Sequence, residues 1–419
     1  MKIVCLSAIA FWLTAGPSAR AQEASKTPTP LKELIAEAQN HNAQLQAAEH
    51  GWRAATHVPQ QLTTLPDPQF SIQEFSVGSP KPFAGFTNSD FAYIGFGASQ
   101  EIPYPGKLRL KGEVAKREAD TQRAEIDALR ASIAEQVKTA YFRLAYLQQT
   151  LTLLESSAAT LKQLTNTELS SYRAGRGSQA DVLKAQLERT KLVREITMHH
   201  KEMGRFQADL KLLLHRPQDS PDIVTENLTA TTLPYDSRTL LALVRKSNPF
   251  VRVESRAIAK QSAQLQSAER GSKPDFEIGY MYQNTGPKYR DYYMLTLDIH
   301  LPRRQRVRAE VEEAAEMLNR TKDELDAQLQ QQLADVQKQY IASNAAVELL
   351  KEYRDGLIPQ AEAAFRAGLA AYQSNAGEMD SVLLSWNDVL NLKRDYEQEL
   401  LDHEIAIAHL ETLTGVTLR

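Results

Sequence analysis

The chain spells out one structural unit twice, each time in the order helix, strand, strand, long helix. Pro68 and Phe70 in PDPQFSIQ return 206 residues later as Pro274 and Phe276 in KPDFEIGY. The same step carries Leu34 onto Leu240 and Asn42 onto Asn248, each asparagine closing an apolar-striped helix. Further on, SQEIPYPGK (99–107) aligns with DIHLPRRQR (298–306) at a step of 199, which also takes Tyr141 onto Tyr340. At 200, Tyr172, Val182 and Leu183 fall on Tyr372, Val382 and Leu383. The step changes only in a hairpin loop and a helical stretch, where insertions are tolerated. One unit has been duplicated, so whatever completes the first copy must complete the second.

The opening residues read as a leader: Lys2, an apolar run from Ile3 to Leu13, the breakers Gly16 and Pro17, then Ala19-Arg20-Ala21. The expected mature chain begins near Gln22, and losing Lys2 and Arg20 takes the net charge from −3 to −5. A mildly acidic chain has no bulk attraction for nucleic acid. The single cysteine, Cys5, lies within the leader, which excludes disulfides, thiolate metal sites and cysteine nucleophiles from the mature protein. No later stretch approaches the ~20 apolar residues of a spanning helix. A membrane location would therefore require β-strands.

From Gly106 to Ser171 there is no proline, and apolar residues recur every seven: Ile126, Ile133, Ala140, Leu147, Leu154, Leu161. Leu129, Val137, Leu144, Leu151 and Ala158 complete a coiled-coil seam. The second copy repeats it with Val311, Leu318, Leu325, Leu329, Val336, Ser343, Leu350 and Leu357. Some ~65 residues of helix make a rod of roughly 95 Å, far longer than a compact domain needs. Each rod ends in a turn and a return helix, SYRAGRGSQADVLKAQLE (171–188) and AYQSNAGEMDSVLLSWND (371–388), whose Gly, Asn and Ser residues suit helix ends.

Between the short and long helices the period falls to two. Phe276, Ile278, Tyr280 and Tyr282 alternate with Glu277, Gly279, Met281 and Gln283; Tyr293, Leu295, Leu297 and Ile299 alternate with Tyr292, Met294, Thr296 and Asp298. In the first copy the strands fall at about 69–77 and 91–99, the former breaking step at Glu74-Phe75. Ten-residue strands with one apolar face and tyrosines near their ends have the pattern of transmembrane β-strands. The plainer reading, two soluble hairpins, leaves bare apolar faces and open edges beside helices too narrow to cover them. In a bilayer the edges must close, and single-chain barrels need at least eight strands, so four per chain requires several chains to share one barrel.

With its PDPQF, SQEIPYPGK, YRAGRGSQADVLKAQLE and LETLTG segments (the last at 410–415), the chain resembles the outer membrane efflux factor family typified by TolC. The PYPGK junction and the absence of a lipid-acceptor cysteine are similar to the heavy-metal resistance branch exemplified by CusC and CzcC. The resemblance implies a mainly α protein with membrane β: a trimer sharing a twelve-stranded barrel, above an α-helical tunnel that crosses the periplasm. It further implies docking on a periplasmic adaptor and an inner-membrane transporter, contact with outer membrane lipid, passive exit of cargo, and no cofactor. The corresponding division is leader 1–21, first repeat 22–215 (strand hairpin about 66–102, helical hairpin 106–215), linker 216–236, and second repeat 237–419 (strand hairpin about 273–302, helical hairpin 303–414).

In that family the helical tips form the periplasmic entrance, which here assigns Tyr172, Arg176, Asp181, Tyr372, Glu378 and Asp380 to the gate. Asp181 has Ser381 as its counterpart, with Asp380 next door; a three-fold carboxylate ring from Asp380, Glu378 or Asp181 would favour cations, whereas Asp181 and Glu378 also suit helix starts. Lys107, Arg109, Lys111, Arg303, Arg304, Arg306 and Arg308 follow the last strand of each copy. Bases run against the macrodipole there, and the expectation is a rim that meets phospholipid headgroups, against pairing with Glu113, Glu310 or Glu312. His199 and Met203 are too few for a metal site. No catalytic motif or constellation is present, so an enzyme is not expected. A periplasmic coiled-coil adaptor and an outer membrane component of type I protein secretion are the alternatives.

Overall fold

The computed structural model describes residues 28–75, 92–175, 177–285, 291–374 and 376–418; the leader and Arg176 lie outside them. The first repeat comprises α1 (Leu31–His41), α2 (Ala43–Thr63), β1 (Gln69–Phe75), β2 (Tyr93–Ile102), α3 (Lys107–Arg173) and α4 (Gln179–Leu213). The second comprises α5 (Ser237–Ser247), α6 (Pro249–Arg270), β3 (Asp275–Asn284), β4 (Tyr292–His300), α7 (Arg304–Glu352), a π-turn (Tyr353–Leu357), α8 (Ile358–Gln373) and α9 (Met379–Thr414).

The expected opening helix of each repeat is two helices hinged on one asparagine. The Asn42 Oδ1 accepts from the Gln44 and Leu45 amides while its Nδ2 donates to the Leu213 carbonyl. Asn248 does the same, accepting from Val251 and donating to the Leu413 carbonyl at 2.7 Å. Only a short amide side chain can cap one helix and tie off the end of another. Those distant ends turn left-handed at equivalent places, His215 (φ 56°) and Gly415 (φ 68°). A Cβ on Gly415 would approach the Ser247 carbonyl oxygen to 2.4 Å.

The strands form one antiparallel sheet in the order β1-β2-β3-β4, so the two hairpins join along β2–β3. Phe70, Ile72, Ile94, Phe96, Ile278, Tyr280, Leu295, Leu297 and Ile299 share one face, and Ser71, Gln73, Ser99, Glu101, Glu277, Thr296 and Asp298 share the other. The Glu74-Phe75 irregularity is not a bulge. Pairing continues through it, leaving Glu74 on the apolar face at the strand's end and Phe75 on the polar face, stacked on Tyr93. β3, at 10 residues, is about 33 Å long, which at the usual tilt covers an apolar band about 25 Å tall.

At 67 residues, α3 is a rod of about 100 Å, and its sevenfold track from Ile126 to Leu161 is buried throughout. The second rod is broken, contrary to the continuous seam expected there. Pro359 lacks the amide needed to continue the ladder, and the π-turn just before it inserts the slack. An extra residue in one turn rotates the stripe, so Val336, Ser343 and Leu350 are buried while Leu357 is exposed. Residues 216–236, without regular structure, lie strapped across the helices: Gln207 holds both backbone groups of Ile223, Tyr141 accepts from the Glu226 amide, and Glu404 accepts from the Thr231 amide and hydroxyl.

Candidate functional site: the helical tips and the strand junction

At the ends of the two helical hairpins, Leu154, Leu161, Ala185, Leu192, Met379, Val382 and Trp386 form a tip core shared by α3, α4 and α9. Above it, the Tyr372 hydroxyl on α8 donates a short hydrogen bond to Oε2 of Glu168 on α3. Burial, followed by the Glu168 carboxylate and then Asp181, pushes the Tyr372 phenol far above its ordinary range, so it stays protonated and donates. Glu168 is 1% exposed. It was not among the sequence candidates, yet a signal existed: it falls seven residues after Leu161, an acid on the apolar seam of a coiled coil.

The other expected gate residues separate into distinct settings. Tyr172 is exposed and Asp181 half-buried beside Glu168 and Tyr372 in one cleft. Ser178, rather than an acid, caps α4 through the Ala180 amide, whereas Glu378 stands at the start of α9 with no side-chain cap bond. Asp380 does not project alone: both its oxygens lie 2.6 Å from the Lys184 ammonium of α4. That exposed pair contributes little stability, but it offsets the Asp380 charge locally and ties the two hairpins a second time.

The junction cluster also divides. Lys107 turns inward, 12% exposed, donating to Asp275 Oδ2 and to the Lys273 carbonyl, both at 2.7 Å. Asp275 Oδ1 accepts from the Tyr104 amide, and Arg270 bonds the Pro105 carbonyl while lying 4.9 Å over the Tyr104 ring. PYPGK of one repeat is thereby clamped to KPD of the other. A lipid-facing position therefore does not hold for Lys107, because its ammonium is consumed in this clamp. Arg109, Lys111, Arg303, Arg304 and Arg306 are exposed, the last 3.4 Å from Glu310. His199 bonds its own helix through the Glu195 carbonyl, and no group of three metal-type side chains occurs among the described residues. No described helix is long and apolar enough to cross a membrane.

Among the described residues, a rod-like helical body carries a two-faced sheet with β1 and β4 as its outer strands, the architecture of the outer membrane channels to which the chain is similar. Residues 34–191 match the family described as outer membrane efflux protein. That match spans most of the first repeat, and over its whole length the chain shares the fold of solved outer membrane channels. The chain is similar to VceC of Vibrio cholerae, an outer membrane protein (TM-score 0.78, 18% identity, covering 93% of this chain and 97% of that one). It is also similar to CusC (0.78, 16%, 93% of each) and to the open-state MtrE outer membrane channel of Neisseria gonorrhoeae (0.75, 18%, 93% and 89%). Comparison with curated proteins by sequence found no match.

Proposed function

We propose that this protein is the outer membrane channel subunit of a tripartite efflux system, a passive exit duct fed through a periplasmic adaptor by an inner-membrane transporter. The carrying observation is the sheet: apolar on one face, polar on the other, its strands seven to ten residues long, with β1 and β4 as outer strands. Three copies joined β4 to β1 close a twelve-stranded barrel, lipid outside and water inside. The rods then continue the conduit, and the tips are its entrance. In this reading Glu168–Tyr372 and Lys184–Asp380 tie the α8–α9 hairpin to α3–α4, and the π-turn before Pro359 is where the second hairpin can bend. Exposed Arg109, Lys111, Arg303, Arg304 and Arg306 meet headgroups at the barrel rim, and the half-buried Asp181 supplies the entrance with negative charge.

Because the mature chain lacks cysteine, disulfide trapping is clean. Ser71→Cys combined in turn with cysteine at Met294, Thr296 and Asp298 should give an SDS-stable trimer band for at least one register. Only monomers and intramolecular products across the scan would reject the shared barrel. A deletion strain sensitised to toxicants, and rescued by the wild-type gene, tests the export role; one with unchanged resistance and an intact membrane profile would reject it.

A further inference from the structure

The tip contains a chemical feature that the closing of a duct does not use. Glu168, Asp181, Phe365, Leu369, Tyr372 and Trp386 line a cleft of about 550 Å³ between the two helical hairpins. Among the described residues lining it none is basic. Glu168 is buried, and while Oε2 accepts from Tyr372, its Oε1 is shut from solvent with no hydrogen-bond partner. A carboxylate taken out of water and given one neutral donor is left under-compensated. A cationic donor would satisfy both oxygens, and charge-assisted bonds are about twice as strong as neutral ones. Phe365 and Trp386 line the same cleft and supply aromatic surface for a cation, and Leu369 a surface for an apolar tail.

We propose that this cleft is a recognition site for a small organic cation, an alkyl ammonium or guanidinium, that binds Glu168 in place of the Tyr372 hydroxyl. A cation that engages both oxygens displaces the Tyr372 hydroxyl from Oε2, so binding and the latch exclude one another. The cation thereby releases α8 from α3, and a ligand entering the duct loosens its own gate. Site occupancy stands independently of the channel reading; the consequence for the gate rests on it.

The probe is n-hexylguanidinium, with n-hexylurea as its neutral isostere, added to the full-length protein in non-ionic detergent. The readout is Trp386 fluorescence in a Trp12→Phe, Trp52→Phe background, which leaves it as the single tryptophan. Expected is a saturable change with the guanidinium and none with the urea. Glu168→Gln, which keeps an acceptor for Tyr372 but loses the charge, should bind at least tenfold more weakly. Asp181→Asn on the cleft wall should bind a few-fold more weakly. Tyr372→Phe, which removes the competitor, should bind several-fold more tightly, a gain that a purely structural tyrosine would not produce. Wild-type affinity in both carboxyl variants, or equal binding of the urea, overturns the site. In planar bilayers the guanidinium should raise wild-type open probability and leave Glu168→Gln unchanged; binding without that rise refutes the release step while leaving the channel reading to the trapping experiment.

Discussion

Replacing Tyr372 with phenylalanine deletes one oxygen and leaves the ring that fills the tip. What is lost is a hydrogen bond to a carboxylate, worth about 1.5–3 kcal/mol when the charged group is shielded, as Glu168 is at 1% exposure. Each ~1.4 kcal/mol is tenfold in an equilibrium. If the bond is made only with the hairpins together, its loss lowers the closed-to-open ratio about 10- to 150-fold per chain. The Lys184–Asp380 bridge remains, but it is exposed and screened by solvent, so it does not restore the balance. The assay is single-channel recording of purified wild-type and Tyr372→Phe protein. The expected result is a marked rise in open time for the variant, with Glu168→Gln between the two because its amide oxygen still accepts from the tyrosine. Identical closed lifetimes in wild type and Tyr372→Phe would refute the latch, since no other contact of that hydroxyl was removed.

Lys107→Met should loosen the clamp between repeats, since it strips Asp275 of its ammonium partner at a site where Lys107 is 12% exposed; the expected loss is about 1–3 kcal/mol, seen as a lower melting temperature. Neutralising Arg303, Arg304 and Arg306 together should leave that melting temperature near wild type and instead reduce recovery of trimer in the membrane fraction. His409 pairs with Glu135 at 2.6 Å, and this contact, opposed by burial and aided by Asp335, raises its pKa. A raised pKa contributes stability that is complete below the ordinary value near 6.5 and lost as pH rises through the folded value. The melting-temperature gap between wild type and His409→Gln should therefore be larger at pH 5.5 than at pH 9, and an equal gap would contradict the pairing. At the entrance, Asp181→Asn should reduce cation selectivity more than Asp380→Asn, because Lys184 already offsets Asp380; reversal potentials in a salt gradient decide between them.

Local periodicity made the architecture legible. Sevenfold spacing declared rods, twofold spacing declared strands with one apolar and one polar face, and duplication declared that the parts come in pairs. Strand count alone then led to the proposal of a barrel shared between chains. Even Glu168 was visible in principle, as an acid on the seam that ends at Leu161. The sequence also overstated one symmetry: it carried the second seam through Leu357, where a proline two residues on forces a π-turn.

Tertiary structure decided which distant residues meet. Tyr372 finds Glu168 across 204 positions, Asp380 finds Lys184 across 196, and Lys107 finds Asp275 across 168. No helical or strand period links such pairs, because each depends on how two elements rotate and pack once both exist. The same packing withdrew Lys107 from the expected lipid rim and joined the hairpins along β2–β3. Sequence by itself determined what kinds of surface this chain presents, since side-chain periodicity is a local property of the backbone. Which charges remain free on those surfaces, and which are consumed in holding the repeats together, was settled only by the fold, because pairing is a property of distance in space.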